Sequence, residues 1–310
     1  MEINKLIFFN HWRNGDVFIN REYVKYFINK IDAPAYYAHN NHFSTTQDLP
    51  CELIKMEQLP YACMNTFMKK GYDAEKKTLY INTWVGAWIG QYLNHGEHAN
   101  FMTLRRIWND LHQSVFKTDI VGNHFDFLPT ITYKSTDANY IIANAWCDKH
   151  KNHKIVMFCN GKQHSEQSDM GDMKRIIDII TSDYSEILFV VCDKLNLKKN
   201  NIVYTDDIFG SSVGNLPHIS YISTFADKII GKNSGPFSYA HTRANNQDAQ
   251  KTFFCFSKEM KSCLTGEGKY YAKHCFSDTI DDDVAIQLLI NELETYEYNP
   301  NLKPIRHVHL

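Results

Sequence analysis

Long apolar runs are missing from this 310-residue sequence. After Met1-Glu2-Ile3-Asn4-Lys5 comes a run of only four strongly apolar residues, Leu6-Ile7-Phe8-Phe9. That is too short for a signal peptide, and no run approaches the roughly 20 residues of a membrane span. A cytoplasmic protein is the default expectation. Also missing is any Cys-x-x-Cys among the cysteines at 51, 63, 147, 159, 192, 255, 263 and 275. Cys159 and Cys192 lie inside apolar runs, so reduced thiols without a zinc site are expected. Charge of one sign is missing too. The formal net charge is −2, where a nucleic-acid binder shows a basic balance or stripe, so no nucleic-acid partner is expected. There is no internal repeat and no low-complexity segment.

What is present describes a globular chain. Hydrophobic residues make up 44% and charged residues 22%, and the length accommodates two domains with real cores. Aromatic content is 14%, with 18 Tyr and 19 Phe; these serve either as bulky core or as stacking surfaces for sugar rings or bases.

The apolar periodicity alternates between strand and helix. Strands are expected at 6–9, 35–39, 78–82, 154–159, 187–192, 201–205 and 252–257, with one more ending near Ile230. Helices are expected at 17–31, 98–116, 137–149, from Met173 onward, and at 283–296. Phe101, Leu104, Ile107, Trp108, Leu111 and Val115 form the clearest helical stripe. This order predicts an α/β protein of two doubly wound, Rossmann-like lobes, 1–140 and 141–310, with ligand turns at the strand carboxyl ends facing a central cleft.

Two turns carry the chemistry. In Ile229-Ile230-Gly231-Lys232-Asn233-Ser234-Gly235-Pro236-Phe237-Ser238 an apolar run ends in a small-residue turn before a helix. Gly235 permits close backbone approach, Pro236 fits a first helical turn, and Ser234 caps the helix or bonds a phosphate oxygen. Such a helix start welcomes an anion. In His11-Trp12-Arg13-Asn14-Gly15-Asp16 a carboxylate follows the first strand. A dipole-stabilised, ionised Asp16 is placed to take a proton from a hydroxyl, or it simply caps the following helix. Lys162, in Asn160-Gly161-Lys162, offers a point charge to a diphosphate. His95-Gly96-Glu97-His98 lacks a third ligand, so no metal is expected there. Asp281-Asp282-Asp283 precedes an amphipathic helix and reads as a cap, although it imitates the Asp-x-Asp of metal-dependent sugar transferases.

Together these residues resemble a bacterial glycosyltransferase of the GT-B architecture, and within it the heptosyltransferase family of lipopolysaccharide synthesis, glycosyltransferase family 9. Gly15-Asp16 stands where that family has a Gly-Asp turn after its first strand. Lys162 stands in the place of its phosphate-binding lysine. Ile230-Gly231-Lys232-Asn233-Ser234-Gly235 matches its Asp-Ser-Gly turn. The family's Asp is Asn233 here, its later histidine corresponds to Ser238 with His241 beyond, and the tryptophan of the lysine loop is absent. Heptose specificity is therefore not carried over. The segment His11 to Asp16 is also similar to the His-x-Arg-x-Gly-Asp motif of fucosyltransferases, where the Arg contacts the donor diphosphate. That motif lies far into those chains rather than at residue 11, but it keeps Arg13 and Gly15 among the candidate diphosphate or acceptor contacts.

The resemblance implies an inverting transferase that uses a nucleotide-sugar donor, with neither metal nor cofactor. Asp16 would be the base, and Lys162, Asn233, Ser234, Gly235, Pro236, Phe237 and Ser238 would hold the donor. The acceptor would be a hydroxyl of a glycan or glycolipid, with peripheral membrane contact left open. It further implies a last helix that packs back on the first lobe. A sugar-nucleotide epimerase and a non-catalytic nucleotide or glycan binder remain alternatives, as does a phage-type enzyme that glycosylates DNA or protein, which the near-neutral charge disfavours for DNA.

Overall fold

The computed structural model describes residues 2–40, 45–65, 67–93, 99–130, 138–161, 173–209, 216–257, 270–279 and 281–295. The chain divides into two compact units, Met1–Thr130 and Ile131–Leu310.

The first unit runs β1 (Lys5–Asn10), α1 (Asn14–Ile19), α2 (Arg21–Ile28), β2 (Ala35–His39), β3 (Glu52–Ile54), β4 (Lys70–Asp73), β5 (Thr78–Asn82), α3 (Gly86–Ile89) and α4 (Phe101–Phe116). Its sheet has the order β3-β2-β1-β5-β4, parallel except for β4. β1 is central and buried from Leu6 to Asn10, which is why Leu6 to Phe9 is apolar without alternation. Ile7, Phe9, Ala38 and Tyr80 pack with Met56, Leu59 and Cys63. Phe8, Val24, Phe27, Leu104, Ile107 and Trp108 are fully buried as well. Each such side chain contributes about 1.5–3 kcal/mol by leaving water. Many of the aromatics are core: the Tyr23 ring lies 5.1 Å from Trp108 and 4.5 Å from Phe127, stacked on both.

The helix expected over 17–31 is two helices. Asn20 separates them, fully buried, accepting from the Trp108 indole N–H at 2.7 Å and donating to the Asp16 carbonyl at 2.8 Å. An Asn side chain that bonds the backbone competes with continuation of the helix.

The second unit runs α5 (Ala138–Lys149), β6 (Ile155–Cys159), α6 (Lys174–Asp183), β7 (Leu188–Val191), β8 (Ile202–Tyr204), α7 (Thr205–Phe209), α8 (Leu216–Ser223), β9 (Lys228–Lys232), α9 (Gly235–Ala240), α10 (Arg243–Asn246), β10 (Thr252–Phe256), β11 (Lys273–Ser277) and α11 (Asp282–Glu294). All six strands are parallel, in the order β11-β10-β9-β6-β7-β8. The chain fills one side of β6 first and then the other, so the order reverses between β6 and β9, a doubly wound arrangement with its switch point there. In the first unit the reversal lies between β1 and β5.

The division after Thr130 falls ten residues before the expected 140. The Thr130 N–H and hydroxyl donate to Glu22 on α2, at 3.0 and 2.6 Å. Helix α5 packs on α7 and α8 instead, with Tyr221 hydrogen-bonded to Asn144, so it belongs to the second unit. Helix α11 packs on the core of the second unit. Its buried face, Ala285, Ile286, Leu289 and Leu293, joins Val156, Ile176, Ile180, Phe189 and Phe254 in the core of its own unit. Asp281 caps it, accepting from the N–H groups of Asp283 and Val284 at 2.8 and 3.2 Å, as read from the acidic run. Among the described residues no helix is long and apolar enough to cross a membrane.

Candidate functional site

The second unit's switch point is built from backbone. Strand β9 delivers Gly231, where an added Cβ would sit 2.8 Å from Cys159 Cβ and from the Phe237 ring, and 3.0 Å from the Cys159 carbonyl. Only glycine lets β6, β9 and the start of α9 approach this closely. Ser234 is the N-cap of α9, extended at φ −139°, ψ 168°, and Pro236 stands in the first turn. The Ser234 side chain caps nothing. Its hydroxyl is buried and has no hydrogen-bond partner among the described residues, although the residue is only 7% exposed. Above Gly235 no atom of the described residues comes within 4 Å of where a Cβ would stand. A helix start without a side-chain cap, beside a hydroxyl and a glycine that no other described residue engages, suits an oxyanion.

The loop after β6 comes to the same place. A Cβ on Gly161 would overlap the Pro236 ring. Buried Asn160 fixes this loop, donating to the Asp193 carbonyl at 3.0 Å and accepting the Asp193 N–H at 2.8 Å. Lys162 itself, like His95 to His98, lies outside the described residues.

The remaining residues of the β9–α9 turn have other partners. The Asn233 N–H donates to the Phe256 carbonyl at 3.2 Å. The Ser238 hydroxyl donates to the Ser234 carbonyl at 3.0 Å. Phe237 is buried with its ring edge-on to Phe253, so its side chain is core and only its backbone is available to a ligand. His241 stands at the other end of α9, 1% exposed, stacked on Phe253 at 4.4 Å and 5.5 Å from His274. Burial, and then the nearby His274, hold its pKa well below the usual 6.5, so it is a neutral core ring.

The first unit's switch point is built from side chains. At the end of β1, Asn10 donates to Thr83 Oγ1 at 2.9 Å, and the Tyr37 hydroxyl is 2.6 Å from the same oxygen. All three are fully buried. Arg13, exposed, is the N-cap of α1, which places Gly15 and Asp16 within its first turn. Asp16 is therefore not the N-cap; its carboxylate accepts from the Arg13 N–H and its own. Burial raises its pKa from 3.8 to about 6, against the two backbone hydrogen bonds, while part of its surface stays open to solvent. At pH 7 such a group is still ionised by roughly ten to one, and a carboxylate of that basicity is a better proton acceptor than an exposed one.

Three features escaped the sequence reading: the anchor Asn160, the buried Asn10–Thr83–Tyr37 cluster, and an indole pair, Trp12 and Trp84, with ring centroids 4.8 Å apart. The signal for the pair was present. Asn10-His11-Trp12 and Asn82-Thr83-Trp84 repeat one pattern at the ends of two apolar runs.

No family model matches the sequence, and no curated protein matches it. Solved structures do match in fold. A glycosyl transferase family 9 protein from Veillonella parvula covers 98% of this chain and 94% of its own at 9% identity, TM-score 0.50. The ADP-heptose lps heptosyltransferase II of E. coli covers 94% and 98% at 12% identity, TM-score 0.50. The UDP-GlcNAc 2-epimerase of Neisseria meningitidis, bound to UDP-GlcNAc, covers 94% and 92% at 10% identity, TM-score 0.51. The α/β fold of two Rossmann-like sheets expected from the sequence is the one these structures share with this chain.

Proposed function

We propose that this protein is an inverting, metal-independent glycosyltransferase that moves a sugar from a nucleotide-sugar donor to a hydroxyl of a glycan or glycolipid. One observation carries the reading: at the β6/β9 switch point a helix start without a side-chain cap, and a Ser234 hydroxyl and a Gly235 that no other described residue engages, meet the loop that leads to Lys162. Open α/β sheets bind ligands at such points. The fold neighbours are named for ADP-heptose and UDP-GlcNAc, both nucleotide sugars, which supports a donor of that class.

The backbone N–H groups at the start of α9 and the Ser234 hydroxyl would hold the diphosphate, and Lys162 would neutralise charge on the departing oxygen. The acceptor oxygen attacks the anomeric carbon as the bond to the diphosphate breaks. The bonding pair leaves with the diphosphate, the acceptor proton goes to Asp16, and the configuration inverts.

The test is Asp16→Asn. Transfer should fall by about 10²–10⁴-fold with donor affinity retained. In the wild-type protein kcat/KM should rise with pH through about 6, where the carboxyl loses its proton, and then level off. Equal loss of folding and donor affinity in the variant would make Asp16 structural and overturn the assignment.

The likeness to UDP-GlcNAc 2-epimerase favours a second reading, chemistry on the donor alone. Isomerised donor in the absence of any acceptor would select it. Tight donor binding without turnover would select a non-catalytic binder.

A further inference from the structure

The strands that flank the first unit's switch point end alike. Asn10 Oδ1 accepts the Trp12 N–H at 2.9 Å, and Asn82 Oδ1 accepts the Trp84 N–H at 2.9 Å. Both asparagines are fully buried, and Phe9 stands opposite Asn82 in the register. Two matching turns on neighbouring parallel strands thus bring the indoles together, inclined at 37°. This pair is not core. Trp88 and Trp108 are at most 1% exposed, but Trp12 is 46% exposed. Trp84 is half-buried over Gly86, where a Cβ would come within 2.7 Å of the indole nitrogen. The residues after Trp12 add an exposed guanidinium, Arg13, and the Asp16 carboxylate.

We propose that the Trp12–Trp84 pair is the acceptor subsite, a stacking platform for a pyranose ring of the acceptor glycan. This rests on the transferase reading above. A pyranose has an apolar C–H face and a rim of hydroxyls. Indole faces suit the first, while Arg13 and Asp16 suit the second, as in pockets where a few polar groups orient an apolar contact. The position is the one where an open α/β sheet accepts a ligand.

The experiment is saturation-transfer-difference NMR on the full chain with methyl glycosides of glucose, galactose, mannose and N-acetylglucosamine, alongside UMP and AMP. Ring protons of at least one glycoside should receive saturation. The signal should drop fivefold or more in Trp12→Ala and in Trp84→Ala and return in Trp12→Phe. A wild-type protein labelled with 5-fluorotryptophan provides a check that needs no alanine variant to fold: the ¹⁹F resonances lost in Trp12→Phe and Trp84→Phe should be the ones that shift on glycoside titration. Absence of glycoside contact overturns the proposal. So do equal signals in the wild type and the double alanine variant, or a nucleotide rather than a glycoside responding to the variants. None of these readouts depends on turnover, so failure of the transferase reading shows separately, as a wild-type protein that consumes no nucleotide sugar.

Discussion

At the β6/β9 switch point the material proposed to face a ligand is backbone: Gly231 and Gly161 are pressed against Phe237 and Pro236, Phe237 is turned into the core, and N–H groups and one hydroxyl are left without a partner among the described residues. At the β1/β5 switch point it is side chain: an amide–hydroxyl–phenol cluster beneath, two indoles, and a carboxylate with pKa near 6. The difference follows from the chemistry proposed for each. A diphosphate has the same charge and shape in every nucleotide sugar, so close backbone approach recognises it without specialised side chains. A proton taken from a hydroxyl needs a titratable group in a tuned environment, and only a side chain provides one.

The largest effect should come from Gly231→Ala. The new methyl meets Cys159 Cβ, the Cys159 carbonyl and the Phe237 ring, none of them the free end of a flexible side chain. We expect a loss of about 2–3 kcal/mol, read as a lower urea midpoint at unchanged slope. An unchanged midpoint would mean that this switch point is not built on close packing. Asn160→Ala should follow at about 2 kcal/mol, since it leaves the Asp193 N–H and carbonyl without their buried partner.

Gly235→Ala sharpens the contrast within one turn. With no atom of the described residues near its Cβ position, alanine should change stability by less than about 1 kcal/mol. The methyl would occupy the space proposed for the diphosphate, so donor affinity, measured calorimetrically with whichever nucleotide sugar stabilises the wild type, should weaken about tenfold, or 1.4 kcal/mol. Unchanged donor affinity would remove the diphosphate from this turn.

The second turn was the more legible of the two because its signal is local. Small residues and a proline after an apolar run predict a strand, a tight turn and a helix start without knowledge of any other element. The interior strands β1, β2, β5, β6, β9 and β10 were legible for the same reason. Of the four edge strands only β8 was legible; β3, β4 and β11 were not, and Lys70-Gly71-Tyr72-Asp73 has no apolar run to announce it. The break at Asn20 and the indole pair depend on partners far along the chain, Trp108 and Trp84, so the pattern around residues 12 and 20 alone does not contain them. The raised pKa of Asp16 was not legible either. Residue spacing announces the helix start, but the desolvation that raises the pKa depends on what packs around the carboxyl.

That desolvation gives the smallest prediction and the one that best separates the two turns. In the folded protein Asp16 holds its proton up to about pH 6, and its usual value is 3.8. A carboxyl raised in this way favours folding below the lower value, and that contribution is lost as pH rises through the upper one. At pH 8 the ionised group therefore opposes folding, with a ceiling of about 3 kcal/mol that its partial exposure to water brings down to about 1 kcal/mol. Asn has the same shape and no charge. Asp16→Asn should thus raise the urea midpoint at pH 8 and lose that advantage as pH falls to 4. A carboxylate kept for helix capping predicts the opposite, a variant that is destabilised most at pH 8, where the dipole interaction is fully expressed. Ser234→Ala is the matching experiment on the other side. Its hydroxyl has no partner among the described residues, so its removal should cost the fold nothing at any pH. If both turns gain or lose nothing in stability while losing function, each retains a polar group that the folded chain alone does not need.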